Sequence, residues 1–156
     1  MKKKIILSLL VIVSLITITG CAKKRTIEYL LDGYVRAYTK ADLEAAKDIF
    51  PPFYLEYSKN SLTQDYMDST TKQSKEKYGD DFNITYKITK TTKMTKKELE
   101  EHNKKMTDYY KSDKDATECY KYEGKITFKG SKKSDELSIS TIAYCKYEGE
   151  WYIVRK

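Results

Sequence analysis

One histidine, three cysteines and fifteen tyrosines are the residues of this 156-residue chain whose chemistry could carry a function. His102 sits among Glu98, Glu100, Glu101, Lys104 and Lys105, the composition of a solvated helix face, so it is not expected to serve as base or ligand. Without it no Ser–His–Asp or Cys–His set can be assembled. No metal site is expected, since there is no CxxC spacing and no second imidazole. A tyrosine–aspartate acid–base site would need a buried carboxyl, and most aspartates here stand in charged or turn contexts. No glycine loop that could cradle phosphate is present. Few groups therefore titrate usefully near neutral pH. The chain reads as a non-enzyme that needs no cofactor.

The cysteines divide into one and two. Cys21 follows a basic head (Lys2, Lys3, Lys4) and an apolar run, Ile5 to Ile18, broken only by Ser8, Ser14 and Thr17. That is the layout of a secretory signal segment. At roughly 1.5 Å per residue the run is too short for a bilayer core of roughly 30 Å. Ile18-Thr19-Gly20-Cys21 resembles a bacterial lipobox. The resemblance implies diacylglycerol attachment to the Cys21 sulfur and cleavage before it. The product would be held by lipid on the extracytoplasmic face of the cell membrane, its partner through two acyl chains. Residues 1–20 are then a signal peptide, 21–25 a lipidated tether with a basic leash at Lys23-Lys24-Arg25, and 26–156 one domain.

Removal of residues 1–20 leaves 136 of the 156 residues, with 27 Lys and Arg against 23 Asp and Glu, a mild net charge of +4. The positive charges are interspersed with acids and form no basic stripe, so nucleic acid is not an expected partner. A chain of this size is also too small for a two-lobed transporter substrate-binding lipoprotein. In an exported domain Cys119 and Cys145 are expected to form a disulfide, the other reading being two buried thiols.

Periodicity places the elements that hold these residues. Ile27, Leu30, Leu31, Tyr34, Val35 and Tyr38 form one apolar stripe of a helix over 26–39. Asp42 can cap a second helix carrying Leu43, Ala46, Ile49 and Phe50, which Pro51-Pro52 stops. Ser61-x-x-Gln64 has capping-box form and opens a third helix ending near Gly79. Phe82, Ile84, Tyr86 and Ile88 alternate as a strand. Thr95-x-x-Glu98 is a second capping box and opens a polar helix over 95–111. From Thr117 the chain is β: strands over 117–130 and 136–147, then Glu148-Gly149 as a two-residue turn into 150–155.

Pairing Phe128 with Leu137, Ile126 with Ile139, Tyr122 with Ala143 and Tyr120 with Cys145 makes one continuous apolar face. That register leaves Cys119 on the other side. A one-residue bulge near Gly124 would bring Cys119 opposite Cys145. Trp151, alternating with Ile153 beside Tyr144 and Ile142, is expected in the core.

Helices followed by long antiparallel strands make an α+β domain, with N-terminal helices packed on a curved antiparallel sheet. Tyr38-Thr39-Lys40-Ala41-Asp42-Leu43-Glu44-Ala45-Ala46 resembles the first helical segment of nuclear transport factor 2-like domains. Tyr147-Glu148-Gly149-Glu150-Trp151-Tyr152-Ile153-Val154 resembles their last hairpin, and the helix over 95–111 departs from the simplest pattern. The resemblance implies a cone with a cavity in its mouth, a fold that hosts enzymes, binders and scaffolds.

The tyrosines have two readings. They replace phenylalanine in the core and at its margins, or some of them, Tyr29, Tyr34, Tyr54, Tyr57 and Tyr86, line a cavity or patch that holds a ligand or partner. The expected function is a membrane-anchored binding or protein-interaction module. The alternative is a small-ligand carrier using an aromatic-lined cone cavity. An enzyme reading would need a buried carboxyl of raised pKa in that cavity.

Overall fold

A computed structural model describes residues 25–155. Among the described residues five α-helices precede or interrupt a five-stranded antiparallel sheet that does not close. Helix α1 (Ile27–Lys40) is capped by the Thr26 hydroxyl, which accepts from the Tyr29 amide, and ends at Ala41 in the left-handed region. It buries Ile27, Leu30, Leu31 and Ala37. Gly33 allows α2 (Leu43–Ile49) to pack close, since a Cβ there would lie 2.7 Å from the Ile49 side chain. Asp42 caps α2 through the Ala45 amide.

Pro51-Pro52 ends α2 but does not end helical structure. Pro52 is the first residue of α3 (Pro52–Ser58), a position where a missing N–H costs nothing. Helix α4 (Gln64–Tyr78) is capped by Thr63 rather than Ser61, whose hydroxyl instead bonds the Ser58 carbonyl. After strand β1 (Asn83–Lys93), α5 (Lys96–Tyr110) opens on the complete Thr95/Glu98 capping box.

Strand β2 (Glu118–Lys129) pairs with β1 on one edge. Its other edge carries two strands, β3 (Ser134–Ser138) and β4 (Ile142–Tyr147), separated by a single helical turn, Ile139–Thr141. Strand β5 (Glu150–Arg155) completes the order β1-β2-β4-β5. Glu148 and Gly149 both have positive φ, as a two-residue hairpin turn requires.

The pairing corrects the simple register. Ile126 faces Leu137 and Phe128 faces Asp135, while Cys119 faces Cys145 and Tyr120 faces Tyr144. The extra residue lies in the partner strand, at the turn that buries Ile139, and not at Gly124 in this pair. Gly124 does sit at an irregularity, on the β1 side, where Ile88 pairs with Gly124 and Lys90 with Glu123, leaving Thr89 over.

Both faces of the sheet are covered. Tyr122, Tyr144 and Ile153 pack under α1 with Ile27, Leu30 and Leu31. On the other face Cys119, Ala143, Cys145, Tyr147 and Val154 receive Leu99 of α5 and Phe53 of α3. Trp151 is half-buried and not interior. It stacks on Tyr144 with ring centroids 4.3 Å apart, at the end of the sheet where cover is incomplete.

The chain enters the domain at Arg25, which is clamped and not a free part of the leash. Its Nε donates to the Trp151 carbonyl at 2.8 Å, and its Nη1 pairs with Asp48 at 2.8 Å. Its guanidinium also donates to the Asp48 carbonyl and lies over the Tyr152 ring, while its own carbonyl accepts from the Tyr144 hydroxyl. Cys21, Lys23 and Lys24 lie outside the described residues. Among the described residues no helix is long and apolar enough to cross a membrane.

Candidate functional site

His102 is not on a solvated face. Helix α5 turns it inward, 5 % exposed, with Nε2 2.8 Å from the Tyr147 hydroxyl and 3.5 Å from Cys145 Sγ. The surrounding Glu and Lys residues mark the exposed sides of the same helix, and composition hid that His102 shares the inward side with Leu99 and Met106. Burial holds the imidazole pKa down to about 4, with the nearby Lys105 adding to the effect, so it is neutral near pH 7. Burial likewise raises the Tyr147 hydroxyl. Cys119 and Cys145 face each other with a Cα separation of 4.1 Å and are joined as a disulfide. The three donor atoms of His102, Cys119 and Cys145 lie within 4.8 Å of one another, but the sulfurs are bonded to each other, which leaves one nitrogen to offer a metal. This is a sealed structural cluster.

Among the described residues tyrosine hydroxyls meet aspartates in three pairs, Tyr29 with Asp48 at 2.9 Å, Tyr86 with Asp32 at 2.8 Å and Tyr78 with Asp135 at 2.9 Å. Their electrostatics oppose acid–base work near neutral pH. Lys77, Lys133 and Tyr78 hold the Asp135 carboxyl well below the usual range. Tyr86 is pushed up to about 12 by burial and by Asp32. None of these three carboxylates lines the cavity beside Tyr34 and Tyr54.

The five tyrosines singled out by the sequence do not share one site. Tyr34 and Tyr54 line a partly open cavity of about 260 Å³ together with Tyr38, Phe50, Ile126 and Arg155. Tyr34 and Tyr38, one turn apart, have ring centroids 4.6 Å apart. The i, i+4 spacing could have found Tyr38. Tyr29, five positions from Tyr34 on the same helix, projects elsewhere and is held by Asp48. Tyr86 reaches Asp32 across the α1–β1 contact. Burial raises the hydroxyls of Tyr34, Tyr38 and Tyr54, and none of the three donates to a protein group among the described residues.

Tyr57 belongs to a separate, open groove of about 520 Å³ between α3, the end of α5 and the β4–β5 turn. Phe53, Tyr57, Tyr110 and Tyr147 supply its aromatic wall, and Glu56, Asp113 and Lys114 are among the charges on its rim. Tyr110 is the hub, with centroids 5.1 Å from Tyr57, 5.2 Å from Tyr54 and 6.1 Å from Tyr109. Tyr57 is 60 % and Tyr109 73 % exposed. The missing signal was Pro52 as a helix opener. Once α3 is recognised, Phe53 and Tyr57 fall at i, i+4 on one side.

Comparison with family models, with curated proteins and with solved structures finds no match for this chain.

Proposed function

We propose that the protein is a membrane-anchored extracytoplasmic module that binds a partner through the aromatic groove between α3 and α5. The anchor is the lipid on Cys21, on the lipobox-like residues before it. The observation that carries the binding reading is the exposed Tyr57 ring in the groove, packed against the half-buried Tyr110, whose neighbour Tyr109 is also exposed. Folding a domain gives no reason to leave large rings in water side by side. Contiguous exposed apolar surface with a polar rim is the mark of an interaction site, and tyrosine supplies it at low entropic cost.

A photo-reactive residue in place of Tyr57, in the full chain expressed in its own cells, tests the groove. A discrete adduct that disappears when Cys21 is replaced by Ala supports an anchored binder. No adduct contradicts it. The mass of the N-terminal peptide reads the anchor separately.

A second reading is favoured by one further observation. The cavity beside Tyr34, Tyr38 and Tyr54 offers hydroxyls without protein partners, and Arg155 at its lining makes no ion pair among the described residues. At about 260 Å³ it is slightly below the range of roughly 300–1,000 Å³ usual for ligand pockets. Native mass spectrometry showing a bound small molecule would move the function from groove to cavity.

A further inference from the structure

The length of chain between Cys21 and the clamped Arg25 has a geometric consequence. Four residue steps separate them, a reach of at most about 14 Å when fully extended. Arg25 is fixed to the Trp151 carbonyl, to Asp48 and beneath the Tyr144 hydroxyl, so the reach ends on a rigid part of the domain. The headgroup layer on one side of a bilayer is itself about 6 Å deep. A lipid on Cys21 therefore cannot let the domain swing free. It brings one end of the molecule to the surface.

We propose that this end is a lipid-contacting surface, in which the half-buried Trp151 and Tyr120 lie at the headgroup level. The proposal rests on the reading of Cys21 as the anchor. The second, independent observation is the composition of that end. Trp151 and Tyr120 have ring centroids 5.8 Å apart, Lys146 lies over the Trp151 ring at 5.8 Å and Lys93 over the Tyr120 ring at 5.9 Å. Tryptophan and tyrosine with flanking lysines are the side chains that settle at a membrane–water boundary, the ring in the apolar margin and the ammonium among phosphates. Glu118, which accepts from the Tyr120 hydroxyl at 2.8 Å and pairs with Lys93, is part of the patch, and the exposed Glu150 precedes Trp151. Contact is thus governed by the short tether and the rings, not by net charge, and depends weakly on salt.

The chain holds one tryptophan, so Trp151 reports on this surface by itself. The acylated protein, purified from membranes, is placed in phosphatidylethanolamine–phosphatidylglycerol vesicles containing a headgroup spin-labelled lipid. The proposal expects a blue shift and loss of Trp151 emission, with reduced quenching by aqueous iodide, relative to the Cys21→Ser protein mixed with the same vesicles. The loss is expected to persist in high salt. An insertion of about ten Gly and Ser residues after Ala22, a flexible segment with a root-mean-square span of roughly 17 Å, should weaken the quenching without altering the N-terminal acyl mass. An acyl mass on Cys21 with Trp151 unquenched and open to iodide overturns the orientation and leaves the anchor standing. Absence of the acyl mass overturns both.

Discussion

His102 Nε2 and the Tyr147 hydroxyl lie 2.8 Å apart in the interior, against the Cys119–Cys145 bridge. A neutral imidazole in this place makes stability depend on pH. The unfolded chain takes up the proton near pH 6.5, the folded one only near pH 4. Between these values the unfolded state binds more protons, so stability falls as pH is lowered through that window and is full above it. The pKa difference corresponds to about 3 kcal/mol. Denaturant midpoints between pH 7 and pH 4 should show this decline, and His102→Gln should flatten it. A wild-type midpoint that does not change across the window contradicts the buried neutral histidine.

The disulfide closes a loop across a sequence separation of 26 and is expected to contribute about 3 kcal/mol through the unfolded state. Both sulfurs are buried, so alkylation of the native protein should reach neither, and alkylation after unfolding without reductant should still leave both unmodified. Reduction should lower the melting temperature markedly. Two alkylated cysteines at 119 and 145 in the unreduced, unfolded protein would show that the bridge is not formed.

Arg25 joins α1, α2 and β5 through its contacts with Asp48 and Trp151. The pair is only partly exposed, and charge-assisted bonds of this kind are worth about 2 kcal/mol. Arg25→Met should cost roughly that much in equilibrium unfolding. A variant as stable as wild type would mean that the clamp is not made in solution.

Most of the architecture was legible because its signals are local. The stripe of α1, the Asp42 cap, the Thr95/Glu98 box and the Glu148-Gly149 turn each follow from a few neighbouring residues. The misses are tertiary. Ile139 is drawn into the core at the cost of the strand, and three residues there turn as a helix where alternation predicts extension. His102 is buried because α5 covers the second face of the sheet, which composition does not encode. The candidate tyrosines scatter because their grouping depends on how α1, α3 and α5 meet. Only Tyr34 and Tyr54 converge on the cavity.

Gly124 is a further position that local reading located but placed against the wrong strand. With φ at +155° its Cβ would lie 2.1 Å from the Lys87 carbonyl. Gly124→Ala should therefore destabilise the β1–β2 pair by at least about 2 kcal/mol. Gly149→Ala, at a positive φ with open space around the Cβ, should cost only the backbone strain, about 1 kcal/mol. Equal melting temperatures for the two variants would argue against the bulge.

The proposed function requires that the exposed rings of Tyr57 and Tyr109, both packed on the half-buried Tyr110, serve binding and not the support of the fold. The most direct measurement is the affinity of the purified partner, recovered through the cross-link from position 57, for wild type and for Tyr57→Ser/Tyr109→Ser. Both rings are exposed, so the melting temperature should stay the same while affinity falls at least about tenfold, the loss typical of removing an aromatic anchor. Unchanged affinity in the folded double variant would contradict the account.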